Sequence, residues 1–245
     1  MISSFDVQTS KSVNVAKSVL VIMLGVSSLF GFQRMALYPA YKDYLSGVNS
    51  SLIEQYVFEG ECENPVVAVT FDDGPIANTQ KIRQLLQKRE IPATFFVIGQ
   101  NMNESYAQLY QDPLFELGLH SYYHKDYRTM EEEEIEQDFE KNMKMLVKYS
   151  LSAKYFRPPY GIVCPKATEM INRYGLQGVL WSLDSHDWAG YSGEELVSQI
   201  HDNLAAGSII LLHDSIEVYE LSLVLDVITQ SGYDFIPLSE LLECQ

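Results

Sequence analysis

From residue 65 onward, short apolar runs alternate with helical patterns, and this alternation restricts the fold more than any other feature. The runs are 65–71, "ATFFVIG" (93–99), "FELGLH" (115–120), "KYFR" (154–157), "LQGVLWSL" (176–183), "GSIILLH" (207–213) and "YDFIPL" (232–237). They have strand length and carry no helical period of their own. Strands separated by helix-length connections pair in parallel, and a parallel sheet needs cover on both faces. The expected fold is therefore α/β: a distorted (β/α) barrel of about seven parallel strands, in a single domain spanning 65–245. Two helix starts show the capping-box pattern, "TMEE" with Thr129 as N-cap and "SGEE" with Ser192. The acidic run Glu131–Glu134 then reads as a helix start that complements the macrodipole, not as a metal site.

The first 37 residues differ in kind. Lys11 and Lys17 precede an uncharged apolar stretch at 18–32, shorter than the ~20 residues that span hydrocarbon comfortably. It suits a signal peptide cleaved after Ser28, or a signal anchor that keeps its lysines in the cytoplasm. Either implies export, with the domain at the cell surface, in the periplasm or outside the cell. A third reading packs 18–32 on the domain as an amphipathic helix. Residues 38–64 read as a polar, Tyr-rich connector. Export would permit a disulfide, and Cys62 before the first strand and Cys244 near the last residue are natural partners, with Cys164 left free; three reduced cysteines are the alternative. The net charge of −16 excludes nucleic acid as a partner, since a phosphate backbone requires a basic patch.

In a parallel α/β fold the chemistry gathers where strands end. The first strand ends in Asp72-Asp73, the third in His120 with His124 beyond it, the fourth in "RPPY" (157–160), the fifth in "DSHDW" (184–188) and the sixth in His213-Asp214. Two adjacent carboxylates at the rim of a core repel each other and resist desolvation, so something must compensate them. His120 and His124 stand four apart, on one helical face or around one tight turn. With one carboxylate they form a His₂Asp set that leaves a coordination position open, the pattern of a catalytic metal site. One aspartate then meets a divalent cation and the other stays free as a base toward water.

"TFDDGP", "HSYYH", "RPPYG", "DSHDW" and "LLH" stand in the order and near the spacing of the five motifs of the polysaccharide deacetylases, which this chain resembles over residues 64–243. These are carbohydrate esterases of family four, with the NodB homology domain. The resemblance implies Asp72 as general base and Asp73, His120 and His124 as metal ligands. Arg157 would hold the base carboxylate, and the Tyr160 backbone N–H would face the developing oxyanion. His213 would be the general acid, oriented by Asp187, with Trp188 and Leu211 lining the pocket for the acetyl methyl. Zinc suits this donor set best; cobalt, nickel or manganese also fit. In two places the chain departs from the family pattern: Leu119 precedes the first motif histidine where a small or polar residue is usual, and "PLFELGL" replaces the usual Gly-His opening.

The implied reaction is metal-dependent removal of N-acetyl groups from N-acetylglucosamine residues of an extracytoplasmic glycan: peptidoglycan, a chitin-type oligomer or poly-N-acetylglucosamine. The chemistry agrees, because amide hydrolysis needs activated water, a Lewis acid on the carbonyl oxygen and a proton for the leaving nitrogen. The alternatives are an O-acetyl esterase on a polysaccharide such as xylan, and a catalytically silent glycan-binding protein.

Overall fold

The computed structural model describes residues 50–244. The apolar stretch 18–32, and with it the signal or anchor, lies outside the described residues. Among them, no helix is long and apolar enough to cross a membrane.

Among the described residues the strands are β1 (Tyr56–Val57), β2 (Val66–Gly74), β3 (Ala93–Val97), β4 (Phe115–Leu119), β5 (Tyr155–Phe156), β6 (Gln177–Val179), β7 (Leu183–Asp184), β8 (Ser208–His213) and β9 (Asp234–Phe235). They form one sheet in the order β1-β6-β5-β4-β3-β2-β8-β7, with β9 beside the start of β2. All of these pairings are parallel. Each of the seven predicted runs carries a strand, and two differences raise the number. Tyr56–Val57, inside the segment read as a connector, pairs with β6. The run 176–183 splits into two strands at opposite ends of the order.

That split shows why the sheet curls. Laid flat, the six strand spacings from β6 to β7 would separate them by about 29 Å. The three residues between them bridge at most about 14 Å. The sheet therefore bends until both ends meet this link. There the Leu180 N–H donates to the Val57 carbonyl (2.7 Å) and the Ser182 N–H to the Ile209 carbonyl (3.2 Å). The expected distorted barrel is the observed fold, in one domain.

Five longer helices cover the sheet: α1 (Thr79–Arg89), α2 (Glu132–Tyr149), α3 (Pro165–Arg173), α4 (Gly193–Asn203) and α5 (Val218–Gln230). Their buried faces follow the helical period, as in Ile135, Asp138, Phe139, Asn142, Met145 and Leu146 of α2. Phe139 of α2 stacks on Phe156 of β5 at 4.5 Å, fastening the helix to the barrel.

The Thr129 cap is corrected by two residues. Thr129 Oγ1 donates to the Asp126 carbonyl (2.7 Å) within a short 3₁₀ turn, Tyr127–Thr129. α2 starts after Glu131, whose N–H donates to the Glu134 carboxylate at 3.0 Å. Ser192 does precede α4 but makes no side-chain cap. Cys62 and Cys244 are disulfide-bonded and Cys164 is free, so the disulfide reading holds over three reduced thiols.

Candidate active site

The residues at the strand ends converge on one cavity of about 260 Å³, lined by Asp72, Asp73, His120, His124, Tyr160, Gly161, Trp181, Asp184, Trp188, Leu211 and His213. A broader surface hollow of about 450 Å³ at Tyr191, Glu194 and Asp202 contains none of the strand-end motif residues.

Neighbouring residues on a regular strand point to opposite faces, so the convergence of Asp72 and Asp73 has to be explained. The register of β2 against β3 slips between Asp72, opposite Phe96, and Gly74, opposite Val97. Asp73 is the extra residue of this bulge, at φ 69°. The left-handed turn swings its carboxylate to the side occupied by Asp72. Gly74 makes room for the turn, since a Cβ there would lie 2.1 Å from Asp214 Oδ2. Thr79 donates a hydrogen bond to that same carboxylate. Burial holds the Asp214 carboxyl up at about 7 despite this bond.

Asp72 is compensated by protein. Arg157, fully buried, donates from Nη1 to Asp72 Oδ1 (2.7 Å) and to Thr70 Oγ1 (2.8 Å), and from Nη2 to the Leu180 carbonyl (2.9 Å). Its guanidinium lies 4.0 Å from the centre of the Phe96 ring. A planar fork with several fixed partners holds the carboxylate in position as well as balancing its charge.

Asp73 is compensated differently. Its Oδ1 is buried with no hydrogen-bond partner, although the side chain as a whole is 40% exposed. The nearest groups are Nε2 of His124 at 3.1 Å and Nε2 of His120 at 3.5 Å. The tautomer of His120 is fixed from behind: Nδ1 lies 2.7 Å from the Arg157 carbonyl, which can only accept. In neutral His120 the proton is then on Nδ1, and Nε2 turns a lone pair toward Asp73. Burial pushes the His120 imidazole toward that neutral form, against the pull of Asp72 and Asp73. For Asp73, burial works to raise the carboxyl, and a proton on His124 with positive charge on His120, His124 and His213 outweighs it and lowers it to about 2; with the imidazoles neutral, that positive charge has to come from elsewhere. An ionised carboxylate oxygen facing an imidazole lone pair is unfavourable unless a cation lies between them. The donor atoms of Asp73, His120 and His124 all lie within 4.8 Å of one another. Two nitrogens and one oxygen in this arrangement fit a divalent transition metal.

Across the cavity, His213 ends β8 in register with Asp72. Its Nδ1 donates to Asp187 Oδ1 (2.8 Å), and its backbone N–H donates to Asp187 Oδ2 (2.8 Å). Burial alone would lower the His213 pKa; the hydrogen bond and charge of Asp187, with Asp72 and Asp73, raise it to about 9. At neutral pH the imidazole keeps both protons, and Nε2–H is a donor.

The comparisons with known proteins agree with this geometry. The polysaccharide deacetylase family model matches residues 59–179. A peptidoglycan-N-acetylglucosamine deacetylase of Bacillus cereus is 33% identical over 188 residues, covering 72% of this chain and 88% of that protein. The chain belongs to the polysaccharide deacetylase family. A bifunctional xylanase/deacetylase of Pseudobutyrivibrio xylanivorans is also 33% identical, over 73% of this chain but only 30% of its own length. The solved structure of the Bc1960 peptidoglycan N-acetylglucosamine deacetylase matches with a TM-score of 0.71 at 27% identity, over 80% of this chain and 97% of that one.

In this polysaccharide deacetylase, Asp72, Asp73, His120, His124, Tyr160, Trp188, Leu211 and His213 line the cavity, and Arg157 and Asp187 stand directly behind it. Trp188 is 61% exposed, an apolar wall open to a ligand. Leu119, the departure from the family pattern, is fully buried in β4, among the core residues. Trp181 and Asp184 also line the cavity; sequence reasoning placed Asp184 at a strand end without a role and missed Trp181, which lies inside the run read as one strand. Asp184 accepts hydrogen bonds from Trp188 Nε1 (3.1 Å) and the His186 N–H (2.9 Å). It ends β7, the strand-end position at which the sequence places "DSHDW".

Proposed function

We propose that this deacetylase removes N-acetyl groups from N-acetylglucosamine residues of an extracytoplasmic glycan, peptidoglycan first, with a divalent cation, preferably zinc, held by Asp73, His120 and His124. The observation that carries the reading is the buried, unpartnered Asp73 Oδ1 facing two imidazole nitrogens beside a second, Arg157-held carboxylate. A cation bound there supplies Lewis acidity toward the amide carbonyl and toward water. Asp72, fixed by Arg157, takes the proton from the attacking water. His213, held as the imidazolium by Asp187, gives its Nε2 proton to the leaving nitrogen as the C–N bond breaks and is left neutral. Asp187 keeps a proton on His213, the proton an amine leaving group must take to depart. Tyr160 would present its N–H to the oxyanion, and Trp188 and Leu211 would enclose the acetyl methyl. The Cys62–Cys244 disulfide supports export, by a cleaved signal or a membrane anchor at 18–32.

Acetate release by the full chain tests the proposal, with N-acetylglucosamine oligomers, purified peptidoglycan and acetylxylan as substrates, after chelation and again after zinc is restored. Zinc-restored release from the N-acetylated glycans is expected. Release from acetylxylan alone would overturn the N-deacetylase reading, and release that survives complete chelation would overturn the metal.

A further inference from the structure

The loop that carries both histidines of the cation site has an unusual backbone. Between His120 and His124 the chain turns through two left-handed, non-glycine residues, Ser121 at φ 64° and His124 at φ 55°. Such conformations persist only where the surroundings over-determine them. Part of the restraint is local: Ser121 Oγ accepts from the His124 N–H at 2.7 Å. Part comes from the short 3₁₀ turn that follows β3 (Gly99–Asn101), where the Gly99 and Gln100 N–H groups donate to the Ser121 and Tyr122 carbonyls, each at 3.0 Å.

The remaining restraint comes from α2. Asp138 lies on the apolar stripe of that helix, next to Phe139 and one turn after Ile135, and is almost completely buried. A carboxylate in that position is costly unless it is fully hydrogen-bonded. Its partners are the loop itself: Oδ2 accepts from the Tyr122 N–H at 2.7 Å and the Tyr127 hydroxyl at 2.9 Å, and Oδ1 accepts from the Tyr123 N–H at 3.2 Å. Two consecutive backbone amides between the two histidines thus point into one carboxylate, away from the cavity.

We infer that Asp138 is a positioning residue for the cation site: it clamps the Tyr122 and Tyr123 amides from behind and so sets the angle at which His120 and His124 present Nε2. The inference rests on the proposed role of Asp73, His120 and His124 as ligands. Groups that orient ligands without touching the metal commonly set its affinity within a factor of 10–100. An asparagine at 138 is nearly isosteric but has one acceptor oxygen where three donors converge, and its NH₂ would face an N–H or a hydroxyl. Released from the clamp, the loop relaxes and the two nitrogens lose their mutual geometry.

The test is zinc affinity of the folded full chain, measured by competition with a chromogenic chelator, for the unaltered protein, Asp138→Asn and Ile135→Val. The valine variant trims the same buried helix face and leaves the Asp138 hydrogen bonds to the loop in place. Asp138→Asn should bind zinc roughly 10–100-fold more weakly, Ile135→Val should bind as the unaltered protein does, and the cobalt-loaded Asp138→Asn protein should show a shifted visible spectrum. Equal zinc affinity and an unchanged cobalt spectrum in Asp138→Asn would overturn the inference while leaving the site itself intact. Failure of the unaltered protein to bind zinc or cobalt would remove the ligand assignment and this inference with it. Should Asp138→Asn not fold, amide hydrogen exchange in the unaltered protein decides: Tyr122 and Tyr123 amides protected like those of β4 support the clamp, and exchange at the rate of exposed loops refutes it.

Discussion

Two carboxylates side by side in sequence have opposite electrostatic fates. Asp72 faces a buried guanidinium at 2.7 Å, whereas Asp73 faces imidazole nitrogens and, in the proposed reading, a cation. Their separation is what would let one serve as base and the other as ligand in the proposed reading. The same reasoning applies to His213, raised to about 9 chiefly by Asp187 against the lowering effect of burial. As general acid, His213 is competent below that value, so kcat/KM should fall as pH rises through about 9. Asp187→Asn removes the charge that holds the proton while burial still disfavours it. Its alkaline limb should therefore move to lower pH, with kcat reduced, in a pH–rate profile of acetate release. An unmoved limb would show that another group limits the rate there. The pairing of Asp187 with His213 was legible in the sequence only through the motif, since the two residues are 26 apart and nothing local joins them.

At the scale of the element, the site is built from exceptions to regular structure. β2 is an ordinary buried parallel strand until Asp72, and then a bulge at Asp73 re-aims one side chain. Gly74 allows the turn by leaving space against the Asp214 carboxylate. Gly74→Ala would force a methyl group into that space. The expected cost is about 1–3 kcal/mol of stability, together with a larger loss of activity than the stability change explains, because the displaced turn carries Asp73. Denaturant unfolding and acetate release measured on the same preparation check both parts. The strand itself was readable from the β-branched and apolar run before Asp72, but the bulge was not. The need for glycine at 74 is set by Asp214, 140 residues further along, which occupies the other side of the turn. The start of α2 was misplaced for a similar reason: "TMEE" has the residues of a capping box, but Thr129 is already committed to closing the 3₁₀ turn on Asp126.

At the scale of the whole molecule, the Cys62–Cys244 bond joins the segment before β2 to the end of the described chain across 182 residues. It sits against the Leu241–Leu242 end of the barrel core. Closing so long a loop restricts the unfolded chain strongly, and loss of a native disulfide typically costs about 2–5 kcal/mol. Cys62→Ser should lower the melting temperature by several degrees while leaving zinc affinity unchanged, because the bond lies outside the cavity. Thermal unfolding and chelator competition on this variant separate the two effects. A loss of zinc affinity would mean that the N-terminal tie also holds the cavity open.

By itself the sequence determined seven strand-bearing runs with helices between them, the identities of the residues at the strand ends and the family to which the chain belongs. All of these are local: run length, apolar period and short motifs are properties of neighbouring residues. The tertiary structure decided which strand lies beside which, how three residues draw the ends of the sheet together, and why Asp72 and Asp73 share one cavity. It also decided which nitrogen of His120 carries the proton, since the carbonyl that fixes the tautomer belongs to Arg157, just past the end of β5. These outcomes rest on hydrogen bonds and packing between residues far apart in the chain, and a pattern read along one segment does not contain the partner that satisfies it.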